Sequence, residues 1–83
     1  ESVQTQILNI QPNPISNKSI ISFENPDNDL YTLRIIDLNG QLIKKIDNIY
    51  GSMIEISRSD LPSGIYIVEL SGRLSGRARL LVE

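Results

Sequence analysis

Short runs of apolar residues alternate with polar turn formers along the whole chain. Seven of these runs are rich in β-branched and aromatic residues, and their starts lie 11 to 13 residues apart. Such even spacing of short strands is typical of an all-β sandwich or barrel. No stretch of helical length keeps an apolar face, and alanine, the best helix former, occurs only at Ala78. The predicted strands are residues 6–11, 18–24, 30–37, 41–47, 53–58, 64–71 and 77–82.

Apolar and polar residues alternate within these strands, so each strand has an inward and an outward face. In the third strand Tyr31, Leu33 and Ile35 share one face, while Thr32 and Arg34 point the other way. Half-buried antiparallel sheets give this alternation, whereas parallel sheets give continuous apolar runs. We therefore predict an immunoglobulin-like antiparallel β-sandwich of about seven strands. The inward residues predicted for the last three strands are Ile54, Ile56, Tyr66, Val68, Leu70, Ala78, Leu80 and Val82.

Four aliphatic residues fall on the outward positions of their strands instead. They are Ile36, Ile65, Ile67 and Leu81. If these strands are neighbours, the four side chains form a patch that marks a partner surface or a weak homodimer contact. Single exposed aliphatic residues are ordinary, so this prediction depends on whether the fold brings the four together.

Turn signals separate the strands. Pro12-Asn13-Pro14 cannot continue a strand ladder because proline has no N–H to donate. Asn39-Gly40, between two apolar runs, is the strongest short-range hairpin signal, because both residues accept positive φ. The segment from Leu61 to Tyr66 predicts a tyrosine corner, with Tyr66 buried and its hydroxyl bonded to backbone near residues 58–61.

Composition excludes several classes of function. The chain has 83 residues, eight Lys plus Arg against ten Asp plus Glu, and no Cys, His or Trp. Its length is that of one small domain. Without Cys and His there is no thiol nucleophile, no Ser–His pair and no imidazole or thiolate metal ligand. The net charge of −2 argues against nucleic acid as a partner. The longest unbroken apolar run, residues 65–68, is too short to span a membrane.

Two sets of acidic and amide side chains are candidates for chemistry. The first set is Asp27, Asn28, Asp29 and Asp37. These side chains could form a calcium site, or they could simply stabilise ordinary β-turns. The second set is Glu24, Glu55 and Glu69, which lie on the outward faces of separate strands. Two of them could form a catalytic carboxylate pair, or all three could belong to a solvated surface. In both cases the structural interpretation is favoured, and we predict a non-catalytic domain without cofactor or metal.

Two further features are candidates for recognition. Arg73, Arg77 and Arg79 give residues 71–82 a local charge of +3. Such charges either protect an edge strand from pairing or form a basic patch that docks on an acidic partner. Tyr50 is the one aromatic residue whose predicted position suits a sugar-binding platform.

Four segments in this order carry a family resemblance. They are Leu8–Pro14, Ile36–Ile43, Leu61–Val68 and a short last strand with basic residues. From about Leu8 to Val82 the chain resembles the type A C-terminal sorting domain of the type IX (Por) secretion system of Bacteroidetes. The resemblance assigns residues 6–83 to the sorting domain and leaves residues 1–5 as an N-terminal linker or post-cleavage remnant.

The resemblance implies an immunoglobulin-like signal domain that directs an N-terminally fused cargo through the periplasm to the cell surface or medium. The implied partners are the type IX translocon, its outer-membrane shuttle protein and a sortase-like cysteine peptidase that usually removes the domain. The residues matching the family motifs, together with the basic residues of the last strand, are Pro12, Asn13, Pro14, Asp37, Gly40, Gly64, Tyr66, Arg77 and Arg79. An accessory sandwich of a secreted enzyme, acting as a spacer or carbohydrate-binding module, is the alternative.

Overall fold

Eight strands and one turn of 3₁₀ helix make up the computed structural model, which describes residues 4–83 without the side chain of Asp60. The strands are β1 (Thr5–Ile7), β2 (Asn9–Gln11), β3 (Lys18–Ser22), β4 (Tyr31–Asp37), β5 (Leu42–Ile49), β6 (Met53–Ser57), β7 (Gly64–Ser71) and β8 (Ser75–Val82). The 3₁₀ turn is Arg58–Asp60. Residues 1–3 of the predicted N-terminal linker lie outside the described residues, and β1 begins at Thr5, the last residue of that linker.

The strands form two sheets that enclose one apolar core. The larger sheet has the order β1-β8-β7-β4-β5, and the smaller has the order β2-β3-β6. Neighbouring strands are antiparallel except β1, which runs parallel to β8. The predicted all-β sandwich is therefore confirmed, with one parallel pair at an edge of the larger sheet.

Alternation of apolar residues builds the core as predicted. Tyr31, Leu33 and Ile35 of β4 are buried, and they lie beside the buried Val68 and Leu70 of β7. The intervening residues of both strands face away from the core. The remaining buried apolar side chains are Leu8, Ile10, Ile15, Ile21, Phe23, Ile49, Ile56, Leu61, Tyr66, Leu80 and Val82.

The first predicted strand, residues 6–11, is wrong as a single strand. It is divided at Leu8, with β1 in the larger sheet and β2 in the smaller. The physical cause is the packing of Leu8, whose buried side chain lies so close to Gly76 that a Cβ there would come within 2.8 Å of Leu8 Cδ2. The Gln6 amide holds the crossing in place, since its Nε2 donates to the carbonyls of Glu24 (3.1 Å) and Leu74 (2.8 Å).

Candidate functional site

The turn at Pro12-Asn13-Pro14 is bonded to the last strand of the sandwich. Asn13 Nδ2 donates to the carbonyl of Arg79 (2.8 Å), and the N–H of Leu81 donates to Asn13 Oδ1 (3.0 Å). One side-chain amide therefore satisfies a donor and an acceptor of β8, as a neighbouring strand would. The turn itself is fixed to the smaller sheet, because the buried Ser19 hydroxyl donates to the carbonyl of Pro12.

Ile15 extends this connection by two backbone hydrogen bonds. Its N–H donates to the carbonyl of Leu81 (2.8 Å), and its carbonyl accepts from the N–H of Glu83 (3.1 Å). β7 pairs with β8 on one side, and β1 pairs with residues 75–77 on the other. Residues 13–15 cover the same edge of β8 as β1 does, but further along, at residues 79–83. β8 is therefore held along both of its edges.

Tyr66 forms the predicted corner beside the end of β8. The ring is buried, as expected, and the hydroxyl donates to the carbonyl of Pro62 (2.5 Å). This acceptor lies one residue beyond the predicted range of 58–61, just after the 3₁₀ turn in which the N–H of Leu61 donates to the Arg58 carbonyl (2.8 Å). Gly64 pairs with Val82, which places the corner next to the end of the last strand.

Gly64 and Gly40 take backbone conformations that L residues rarely adopt, with φ of +154° and +83°. For Gly40 this determines the hairpin between β4 and β5. The predicted hairpin is confirmed, since β4 and β5 are antiparallel neighbours joined at Asn39-Gly40, and of these two residues Gly40 alone takes positive φ. The Asp37 carboxylate stabilises the loop of residues 38–40. Its Oδ1 accepts from the N–H groups of Asn39 and Gln41 (2.9 Å each).

The motif residues lie at one end of the sandwich. Asp37 pairs with Tyr66 across β4 and β7, so the hairpin of Asp37 and Gly40 is adjacent to the tyrosine corner. The corner is adjacent to the end of β8, and the turn of Pro12, Asn13 and Pro14 is bonded to β8 at residues 79 and 81. The sequence motifs, which are far apart along the chain, are therefore joined through strand register and two side-chain hydrogen bonds.

The two predicted basic residues of β8 are exposed on the outer face of the larger sheet. Arg77 forms an ion pair with Glu69 (3.1 Å), and Arg73, before the strand, forms one with Asp27 (3.2 Å). The local charge of +3 is thus largely balanced by neighbouring carboxylates. Among the side chains that the structure describes, none forms an ion pair with Arg79.

Arg58 is a residue that the sequence reasoning missed. Its guanidinium donates through Nε to the carbonyl of Glu83 (2.5 Å), with a second hydrogen bond from a terminal nitrogen to the same oxygen. The same side chain donates to the hydroxyl of Ser63 (3.1 Å). Ile15 was missed as well, although it is fully buried. Neither residue belongs to a recognisable motif, since each acts through contacts with distant parts of the chain.

The polar candidates for chemistry act as turn and surface residues. Asn25 Oδ1 accepts from the N–H of Asp29 (2.9 Å), and Asn28 Oδ1 accepts from the N–H of Gly51 (3.0 Å). Among the side chains that the structure describes, no group of three acidic residues is placed to hold a metal ion. Tyr50 is 66% exposed, whereas the other three aromatic side chains are buried in the core.

A shallow concavity of about 470 Å³ lies between β1, β7 and β8. The hydroxyls of Thr5, Ser71 and Ser75 line it, together with the ion-paired Glu69 and Arg77. Within the described residues no helix is long and apolar enough to cross a membrane.

The fold and this site define a small β-sandwich module whose distinctive residues stabilise one end of the sandwich. The family model of the secretion system C-terminal sorting domain matches residues 9–82, and the chain belongs to this family. The chain thus carries a type IX secretion sorting signal, which implies export across the outer membrane, and its family is a non-catalytic one. A comparison with curated proteins found no match.

Proposed function

We propose that the secretion machinery recognises this domain as a folded unit, through the end of the sandwich where Asn13, Tyr66 and the end of β8 meet. The observation that carries the proposal is the double hydrogen bond between the Asn13 amide and β8, which ties the first family motif to the last strand. A linear tail would have no need of such a connection. The partners are the type IX translocon and its outer-membrane shuttle protein, and the cargo is fused at the N-terminal side.

The position of β1 supports a cleavage site upstream of the domain. The N–H of Ser75 donates to the carbonyl of Gln4 (3.1 Å), and residues 5–7 pair with β8. A peptidase needs an unpaired, extended substrate, so a sortase-like cysteine peptidase would cut before residue 4 and release the cargo to the surface or medium. A fragment that begins within residues 5–11 would contradict this site, and N-terminal sequencing of the released domain distinguishes the two outcomes.

The test of the sorting function is a fluorescent passenger fused in front of residues 1–83. It is expressed in a type IX-competent strain and in the same strain without the translocon, and the cells are fractionated. We expect surface or medium delivery in the competent strain alone. Equal delivery in both strains, or retention in the periplasm of both, would overturn the sorting function.

A matched pair of variants tests whether the folded end is recognised. Asn13→Asp removes the donor to the Arg79 carbonyl and places a carboxylate against that oxygen. Asn39→Asp makes the same chemical change in the exposed hairpin loop. We expect the first variant to lower export and the second to leave it unchanged. Equal export of both variants would count against recognition through this end.

A further inference from the structure

The outer face of the larger sheet carries a stripe of aliphatic side chains. In strand register Leu42 of β5 lies opposite Ile36 of β4, and Ile36 lies opposite Ile67 of β7. Ile65 of β7 and Leu81 of β8 form a second pair, closer to the end of the sandwich where Asn13 and Tyr66 lie. We call these five residues the outer stripe. The predicted patch of Ile36, Ile65, Ile67 and Leu81 is therefore brought together, and Leu42 extends it.

Positive charges surround the outer stripe. Strand residues on this face include four cations and two carboxylates, an excess of two positive charges, whereas the whole chain has a net charge of −2. The cations are Arg34, Lys45, Arg77 and Arg79, and the carboxylates are Asp47 and Glu69. Arg79 lies directly opposite Ile67, so a cation borders the apolar stripe.

The smaller sheet provides the comparison within the same molecule. Its outward residues are mostly polar, and its two large apolar ones, Ile20 and Met53, lie among serine, glutamine and glutamate. Ile20 has Gln11 on one side and Glu55 on the other. The continuous aliphatic surface with a positive border is thus specific to the larger sheet.

We infer that the outer stripe docks on a protein surface that combines an apolar centre with carboxylates at its rim. The apolar centre would cover the aliphatic side chains, and the carboxylates would pair with Arg79 and its neighbours. A second copy of this chain fits less well, because two stacked faces would each bring an excess of positive charge. This inference rests on the proposed sorting function, for which it names a second contact surface.

Two matched pairs of variants test this surface. Ile65→Ser removes an aliphatic side chain of the stripe that is 42% exposed, and Ile20→Ser removes one that is 37% exposed on the smaller sheet. Arg79→Glu reverses a charge beside the stripe, and Lys18→Glu reverses one on the smaller sheet. Circular dichroism melting of each purified variant verifies that the fold is retained.

The probe is outer-membrane vesicles from type IX-competent cells, with vesicles from cells that lack both the translocon and its shuttle protein as the reference. We expect Ile65→Ser and Arg79→Glu each to weaken binding of the purified domain roughly tenfold or more, because an apolar contact or an interfacial charge pair is lost. Ile20→Ser and Lys18→Glu should leave binding unchanged. Added salt should weaken binding of the unaltered domain more than that of Arg79→Glu.

Several outcomes would overturn the inference. They are absence of vesicle binding, equal binding to both kinds of vesicle (which would assign the contact to anionic lipid), and equal losses in the stripe and control variants. A dimer in analytical ultracentrifugation that Ile65→Ser dissociates would assign the stripe to a second copy. If the passenger is exported normally with Arg79→Glu, the docking surface is refuted while the sorting function stands. If export does not depend on the translocon but vesicle binding follows the stripe, the sorting function is refuted and the surface stands.

Discussion

Tyr66 illustrates how one side chain both fills the core and closes a turn. Its ring lies in the core with Leu61 and Val82, and its hydroxyl ends the chain reversal at Pro62. A buried hydroxyl without a partner would be costly, so the ring position and the hydrogen bond depend on each other. Gly64 provides the positive-φ backbone conformation between Pro62 and Tyr66. A Cβ added at Gly64 would lie 3.8 Å from the Tyr66 ring.

Replacement of Tyr66 by phenylalanine isolates the hydrogen bond from the packing. We expect Tyr66→Phe to lower the free energy of unfolding by about 1 kcal/mol, because the ring stays and the bond to the Pro62 carbonyl is lost. Urea denaturation measures the difference. Tyr50→Phe is the matched control, because Tyr50 is exposed and its change should have no effect. Equal stability of the two variants would show that the corner bond contributes nothing.

At the scale of elements, strand existence, strand face and the turns were predictable from the sequence, but the distribution of the strands between the two sheets was not. The alternation in β4 and β7 depends only on neighbouring residues, so the inward residues of these strands were identified correctly. The division of the first predicted strand depends on Leu8 packing at Gly76, a contact between the two ends of the chain. The hairpin at Asn39-Gly40 was predicted, but the two hydrogen bonds that Asp37 Oδ1 accepts within its loop were not.

The arrangement of the candidate site could likewise be predicted only in part from the sequence. The motif residues were identified by resemblance, but their convergence at one end follows from register, which the sequence does not display. Asn13 and the β8 residues that it bonds are 66 and 68 positions apart. Arg58 and Glu83 are 25 positions apart, and no local pattern connects them. Contacts of this kind appear only when the whole sandwich is assembled.

The attachment of β8 to the first turn can be tested by hydrogen exchange. We expect Asn13→Ala to increase the exchange rate of the Leu81 amide strongly, because that N–H loses the Asn13 Oδ1 acceptor. The amide of Val68, in the middle of the same sheet, should keep its protection. Asn39→Ala is the control, since its side chain lies in the exposed hairpin loop. An unchanged Leu81 rate in Asn13→Ala would show that the amide does not hold the strand.

On the scale of the whole molecule, β8 is a structural strand as well as a candidate signal. Leu80 and Val82 are buried, and the strand pairs with β1 and β7. Burial of the two side chains contributes roughly 1.5–3 kcal/mol each. A domain of 83 residues has a total stability of roughly 4–12 kcal/mol. Loss of these two burials would therefore remove a free energy comparable to the net stability of the domain.

Deletion of residues 77–83 should accordingly unfold the domain rather than only remove a recognition element. We expect the shortened domain to lose the cooperative thermal transition and to become sensitive to protease, while a fluorescent passenger in front of it stays folded because it has its own core. Circular dichroism of the isolated domain and limited proteolysis of the fusion measure the two parts. A shortened domain that still melts cooperatively would show that β1 to β7 suffice for the fold. If the shortened domain still folds, loss of export shows that β8 itself is recognised. If the shortened domain is unfolded, loss of export shows only that the folded shape is needed. Single substitutions at Asn13 and Arg79, which leave the core side chains in place, separate these two causes.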